Sequence, residues 1–477
     1  MTGRSFLHII LLSLISLVWV TGVSSCKKEA KTTQINGTEN KKENTTDTLK
    51  VGTLYSPTTY FIYRDEAMGY EYELAKQFAE SEGMTIEMTV APEFPALLKM
   101  LKSGQIDLIA ARVPMTAEYN GEVRFCGPED QTRQVLVQKA EGNGTSEFID
   151  DVTELIGKYI YVEKDSKYYA RLENLNEEIG GGIRIQVYEA DSIVTRDLIE
   201  MVARGDIPYT ISDNDIALLE KTYYPNIDVD LVVSLEQKSS WAVASDNAAL
   251  AEKIDNWCRD IDSNKEVQSI HRRYFELSKS TTAETYGGSS GKRMIDASTI
   301  SQYDGLFRKY ADDINWDWRL LAAVGYEESR FDNSVTSWAG AAGVMQIMPG
   351  TAAANGLPAS EIRNPERNIA TSAKIFKTLD NMLLKSVPNP EERLKFVLAA
   401  YNAGIGHVYD AISLAEKYGK DKGAWEQNVR EALLMKGRPE YYNDPVVRNG
   451  YFRANETVDY VDRVLLSYNY YKSHAPA

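Results

Sequence analysis

Tyr326-Glu327-Glu328-Ser329-Arg330-Phe331, followed by Gly343-Val344-Met345-Gln346, is the stretch on which the reading of the chain turns. It closes a run over residues 318–328 in which Leu320, Leu321, Val324 and Phe331 recur at helical spacing and define one apolar face. A carboxylate at the rim of such a face is a candidate general acid, because partial burial raises a carboxyl pKa toward the range where it donates a proton near neutrality. Periodicity leaves two choices open. Glu327 and Glu328 fall on opposite flanks of the apolar stripe, at similar angular distance from its centre.

Downstream the pattern stays helical, with periodic runs over 300–310, 350–355, 368–385, 391–403, 407–418, 425–435 and 455–474. Upstream, strand and helix patterns alternate: strands at 49–54, 84–90 and 106–111 enclose helices at 71–82 and 95–103, and the rhythm returns between 159 and 234, ending in a strand at 229–234. Strands separated by helices of this length imply right-handed crossovers and a mainly parallel sheet. Two such lobes in tandem imply a cleft between them, with 134–138 and 240–244 as hinge strands and helices at 248–261 and 265–275 returning to the first lobe. Lobe 1 thus covers about 49–135 and 241–278, lobe 2 about 139–238. Thr281-Thr282-Ala283 and Gly287-Gly288-Ser289-Ser290-Gly291 mark a flexible linker over 279–294, after which a helical domain fills 295–477.

The 477 residues carry a formal charge of −16, and nothing in them builds the basic stripe that nucleic-acid binding requires. Three cysteines and four histidines form no spaced cluster, so no metal site is expected. Cys126 and Cys258 either pair in an oxidising compartment or remain buried thiols.

Arg4, an apolar run over 9–20 and Val23-Ser24-Ser25-Cys26 have the layout of a secretory signal over 1–25, too short for a spanning helix. The cysteine resembles that of a bacterial lipobox, which implies that Cys26 becomes the lipidated first residue; the alternative is a plain cleaved signal with an incidental cysteine. Residues 27–48, rich in Lys, Thr, Asn and Glu, cannot support a core and are expected to be a disordered tether.

Residues 49–278 resemble a periplasmic solute-binding domain of the amino-acid-binding type, through Lys50-Val51-Gly52, Gly69-Tyr70-Glu71-Tyr72-Glu73-Leu74-Ala75 and Leu101-Lys102-Ser103-Gly104-Gln105-Ile106-Asp107-Leu108-Ile109. Ligands of such folds sit outside the carboxyl ends of strands, which puts Arg112 and Asp213 near the cleft. Arg112 is a candidate carboxylate partner and Asp213 a candidate amino-group partner, or else the cap of the next helix. Tyr55, Tyr60 and Phe61 are candidate stacking residues or cleft wall. Thr116-Ala117-Glu118 is followed by Tyr119 where the family usually has a carboxylate-binding arginine, which argues against a free amino acid as ligand.

Glu328-Ser329-Arg330-Phe331, then 340–349 leading into Thr351-Ala352, then Ala400-Tyr401-Asn402-Ala403-Gly404, then Glu456-Thr457 with Tyr460-Val461, resemble in order the lytic transglycosylase catalytic domain. The resemblance implies a multidomain chain: a two-lobed α/β periplasmic solute-binding-like domain followed by a mainly α, goose-type-lysozyme-like domain. That pairing is similar to the membrane-bound lytic murein transglycosylases of type F. It implies cleavage of the β-1,4 bond between N-acetylmuramic acid and N-acetylglucosamine with Glu328, not Glu327, as the catalytic acid. Most glycosidases need a second carboxylate. Asp332 is expected to be a turn residue, so a single acid implies substrate assistance: the muramyl acetamido oxygen attacks, and Glu328 then takes the C6 hydroxyl proton to leave a 1,6-anhydromuramyl end.

The same resemblance implies supporting parts for Ser329, Gly343, Met345, Gln346, Tyr401, Asn402 and Tyr460 in binding substrate or orienting the acid. Ser329 is alternatively a small residue ending a helix, and Tyr401 a core residue. No cofactor or metal is implied. The expected partners are peptidoglycan glycan strands, a muropeptide or peptide in the amino-terminal cleft, and a membrane reached through the lipid anchor. Lys27 in place of a retaining aspartate favours the outer membrane, facing the periplasm. The alternatives are a lysozyme-like hydrolase and a non-catalytic cell-wall-binding sensor.

Overall fold

The computed structural model describes residues 47–143, 147–164, 166–188, 194–279, 294, 296 and 298–476. The expected signal segment, Cys26, residues 27–46 of the tether, and the linker apart from Lys279 and Met294 lie outside them.

Alternating apolar residues in β1 (Thr48–Leu54) bury Leu49 and Val51 and seed the first sheet. A hairpin of β2 (Phe61–Tyr63) and β3 (Glu66–Met68) follows, then α1 (Tyr70–Ser81), β4 (Thr85–Ala91), α2 (Phe94–Lys102), β5 (Leu108–Pro114) and β6 (Val123–Thr132). β1 pairs in parallel with both β4 and β5, as helical crossovers require. The second lobe holds β7 (Gln134–Lys139), β8 (Tyr159–Glu163), α3 (Lys167–Glu178), β9 (Arg184–Tyr188), α4 (Thr195–Arg204), β10 (Tyr209–Asp213), α5 (Asn214–Tyr223) and β11 (Ile227–Asp228). β12 (Gln237–Ala244) then returns antiparallel between β5 and β6, and α6 (Ala248–Cys258) and α7 (Lys265–Phe275) close the first lobe. The sheet orders are β4-β1-β5-β12-β6 and β11-β7-β10-β8-β9. Only Arg133 separates β6 from β7, so the chain changes lobes within one residue.

The strand expected over 229–234 is replaced by the shorter β11 and a bridge from Val232 to Val135. Asp228 Oδ1 accepts from Asp230 N, and this local bond competes with the sheet ladder. Cys126 and Cys258 are free thiols, and burial pushes both up to about 12.

The last domain comprises α8 (Asp304–Asp312), α9 (Trp318–Ser329), α10 (Pro349–Ala354), α11 (Pro365–Leu383), α12 (Pro390–Ala403), α13 (Ile405–Lys417), α14 (Arg430–Met435), α15 (Pro439–Tyr442) and α16 (Asn455–His474). Asp317, Asn364 and Asn389 cap α9, α11 and α12 by accepting from first-turn amides, and Pro opens α10, α11 and α12. The helix expected over 425–435 starts late: Gln427 takes φ 60°, and the wide turn before α14 lets buried Trp425 donate its amide to Glu392. Lobe 1 and the helical domain share a core, in which Met68 and Tyr274 lie with Ala339, Ala341 and Met348 and the Tyr63 ring packs 5.4 Å from that of Trp338.

Candidate active site

α9 is buried on nearly all sides and ends abruptly, because Arg330 and Phe331 both take left-handed backbone at φ 55° and 65°. Phe331 is held there by Phe307 and Tyr326 at centroid distances of 6.0 and 5.7 Å, and Arg330 lies 4.1 Å over the Tyr326 ring. The two glutamates at this end have different surroundings. Glu327 is enclosed by Arg330 at 3.3 Å, Arg463 at 3.4 Å and the Ser467 hydroxyl at 2.8 Å, an anchor of α9 to α16. Glu328 is 5 % exposed, faces the phenol of Tyr460, and leaves Oε1 without a hydrogen-bond partner among the described residues. Burial pushes its carboxyl above the ordinary range, with Arg64 pulling the other way.

The loop carrying the second motif is pinned from beneath by Asn368 of α11, whose Oδ1 accepts from Met345 N at 2.8 Å while Nδ2 donates to Ile362 O and Ala342 O. Gly343 passes over this amide at φ +83°; a Cβ there would lie 2.5 Å from Asn368 Nδ2 and 2.6 Å from Ile362 O, so only glycine fits. Met345 is fully buried, and Gln346, at φ 46°, spends its amide on Val335 O and Gly343 O. Tyr401 donates to Met345 O at 2.7 Å and stacks 4.2 Å from Phe376. The Ser329 hydroxyl donates to Val344 O at 2.7 Å. Asn402 Oδ1 accepts from Thr457, tying α12 to α16. Glu456 is half-buried near Arg453 and Lys279, and desolvation raises its pKa. Asp332 is exposed and accepts from the amide and hydroxyl of Ser334.

The sequence reading missed what fills the groove. Arg64 and Asp65, at φ 49° and 62°, form the two-residue turn between β2 and β3, with both central residues left-handed as in a type I′ turn. Arg64 reaches Glu328 Oε2 at 3.2 Å and donates to Gln346 O at 2.9 Å, while its own amide donates to Ala403 O at 3.0 Å. Asp65 accepts from the first amides of α13, Ile405 and Gly406, at 3.3 and 3.4 Å. Glu66 accepts from Gly350 and Thr351 at the start of α10, at 2.8 and 3.2 Å. Acidic groups thus meet two positive helix ends and a cation meets the acid, an arrangement that electrostatics favours at each contact. His407 adds a fourth contact. Its Nδ1 accepts from Lys436 at 2.6 Å, so Nε2 carries the proton and donates to Ile62 O at 2.9 Å. The cavity left beside Arg64, lined by Gln346, Thr351 and Tyr401, is about 50 Å³. That is room for a water or two and not for a sugar ring.

Lobe 2 holds the same domain from another side. Arg453 makes paired bonds of 2.6 and 2.7 Å to Glu220 of α5 and lies 3.7 Å over Tyr223, and Asn455 donates to Glu200 of α4 at 3.2 Å. Between the lobes a cavity of about 480 Å³ is lined by Arg112 but not by Asp213. Asp213 is paired with Lys167 and makes no side-chain bond to the start of α5. Tyr55 and Tyr60 meet with tilted rings at 5.9 Å, and Tyr55 meets Tyr442 at 6.3 Å, toward the helical domain. Phe61 lies in the hairpin.

Residues 49–277 match the model of bacterial extracellular solute-binding proteins, family 3, and residues 305–423 that of the transglycosylase SLT domain. The chain is 33 % identical over 416 residues to the membrane-bound lytic murein transglycosylase F of Desulfosudis oleivorans, covering 87 % of each. It is 31 % identical to proteins of that name from Pseudomonas fluorescens and Shewanella halifaxensis, covering 88 % of this chain and 84 % and 85 % of theirs. The chain belongs to the membrane-bound lytic murein transglycosylase F family. Solved structures similar to its amino-terminal half include an ancestral arginine-binding protein bound to arginine (TM-score 0.36, 22 % identity, 48 % of this chain and 98 % of that one) and the unliganded L-cystine solute receptor of Neisseria gonorrhoeae (TM-score 0.41, 19 % identity, 49 % and 95 %).

Family membership makes the chain an enzyme, a lytic murein transglycosylase built from a two-lobed solute-binding domain and a mostly helical transglycosylase domain. Among the described residues no helix is long and apolar enough to cross a membrane. Beyond Arg64, the sequence reading overlooked Asn368 and His407. Asn368 gave no signal, since the sequence reading starts its helix at that residue, where an asparagine passes for an ordinary cap.

Proposed function

We propose that the chain cleaves peptidoglycan between N-acetylmuramic acid and N-acetylglucosamine without water, leaving 1,6-anhydromuramyl ends, with Glu328 as acid and then base. The observation that carries this is the setting of Glu328, buried and with two cations, Arg64 and Arg463, foremost among the charges acting on it. A hydrolase with two carboxylates needs the second within roughly 5–10 Å of the first to act as nucleophile or base. A lone acid suits a substrate whose own acetamido oxygen closes on the anomeric carbon. Protonated Glu328 gives its proton to the leaving oxygen, and the resulting carboxylate takes the C6 hydroxyl proton as that oxygen attacks. The raised carboxyl supports the first step, since a general acid must hold its proton near the working pH. Tyr460 faces the carboxyl and suits it for orientation; the Asn368-braced loop and Tyr401 give Met345 and Gln346 a rigid backbone at the groove floor.

The hairpin contact supports a resting state in which the solute-binding domain occupies the groove, so that a peptidoglycan-derived ligand in the interlobe cleft, near Arg112, controls access. A lipid anchor at Cys26 in the outer membrane would place the groove against the wall. Mass analysis of digested sacculi tests the chemistry: muramyl ends lighter by one water than reducing ends are expected, and reducing ends would make the enzyme a hydrolase.

A further inference from the structure

Arg112 sits where a solute-binding cleft would be expected to hold a ligand carboxylate, but the protein has already filled its coordination. Nε lies 3.4 Å from Glu71, Nη2 2.6 Å from Asp130 and Nη1 2.8 Å from Asp215, and Glu71 is further fixed by the Trp241 indole at 2.7 Å. A ligand carboxylate would have to displace one of these and then face the others. Counting the whole lining, Glu71, Glu129, Asp130, Asp215 and Asp262 stand against the single guanidinium of Arg112, with His271 at the edge. Among the described residues, only Glu129 of these pairs with a further cation, Lys238 at 3.4 Å. The field in the cavity is therefore negative, and low-dielectric walls concentrate it.

Two more features are independent of that charge. Ser239, 3 % exposed and lining the cavity, has a hydroxyl with no hydrogen-bond partner among the described residues, a cost that a ligand hydrogen bond would relieve. Tyr70 and Phe275 meet edge to face at 5.1 Å on the same lining and present aromatic surface, which attracts cations.

The geometry points to a cleft that takes a cationic ligand, one bearing a primary ammonium or guanidinium group set among Asp130, Asp215 and Asp262, rather than a ligand anchored by its carboxylate on Arg112. This rests on the reading of the cleft as the sensing site. It also gives the ligand a route to the catalytic domain. Asp215 and Glu220 lie on the same helix, α5; the first binds Arg112 across the lobes and the second binds Arg453. A cation that draws Asp215 from Arg112 acts directly on the helix that holds the helical domain.

Tryptophan fluorescence and calorimetry of the purified full chain, titrated separately with cadaverine, L-lysine and glutarate, test the charge preference. Cadaverine and lysine should bind saturably with millimolar or tighter affinity and glutarate should not, and both the exposed Asp262→Asn and Asp215→Asn should weaken the cations about tenfold or more. Raising salt should weaken them further. Glutarate binding as well as cadaverine, no cation binding at roughly 10 mM, or cation affinity unchanged in both variants would overturn the proposal. Because the readout is binding, a failure here leaves the chemistry of Glu328 standing. Cation binding without any change in sacculus digestion would instead remove the sensing role.

Discussion

At Glu328 the buried carboxyl meets one guanidinium, that of Arg64, and the phenol of Tyr460, whereas its neighbour Glu327 is surrounded by Arg330, Arg463 and Ser467. The first arrangement suits a group that must carry a proton; the second anchors α9 to α16. Replacing Glu328 with Gln removes the transferable proton at almost constant volume, so turnover on sacculi should fall by roughly 10²–10⁴ while pull-down on insoluble peptidoglycan is retained. Full activity of Glu328→Gln would remove it from the mechanism. Helical periodicity could not separate these adjacent residues, because both flank the apolar face. Much of their difference arises from α16, which starts more than a hundred residues later and supplies Tyr460 to Glu328 and Ser467 to Glu327, while Arg463 pairs with Glu327 and acts on both.

The elements that surround the site differ in how far the sequence announces them. Capping asparagines and first-turn prolines mark α11 and α12, and the β1, β4 and β5 crossovers follow from strand and helix alternation. The hairpin was not legible. Type I′ turns favour Asn-Gly, so Arg64-Asp65 gives no turn signal, and the partner of Arg64 lies 264 positions away. Its strained backbone is sustained by the contacts at its tip, which is where such conformations concentrate. Lys279, at the end of the segment after α7, is similarly unannounced. It is buried, donates to Thr222 of α5 and to Tyr274 O of α7, and lies 4.9 Å from the Trp338 ring. Burial lowers its pKa to about 7 from an ordinary value of 10.5. Between these values the unfolded chain binds a proton that the folded one does not, so stability should rise with pH from about 7 to about 10, by at most about 1.4 kcal/mol per pH unit from this group. Denaturant melts across that range should show the slope in the parent and a smaller one in Lys279→Met; identical slopes would contradict this placement of the lysine.

Across the whole molecule, the helical domain is gripped by both lobes: by lobe 1 through the hairpin in the groove, and by lobe 2 through Glu220 and Arg453. Any change in the angle between the lobes must strain one of these contacts, since both end on the same rigid domain. At the hairpin tip the contact to the acid itself is a single guanidinium, that of Arg64, and its loss enlarges the space beside it, which now measures about 50 Å³. Regulation of this kind typically amounts to a few kcal/mol, or about 5- to 150-fold in an equilibrium. The most direct test is the initial rate at which Arg64→Ala and the parent release muropeptides from sacculi, with the products weighed. The account predicts that Arg64→Ala is faster by about tenfold or more and yields anhydromuramyl ends. An equal or slower rate, or products carrying the extra water, would contradict it.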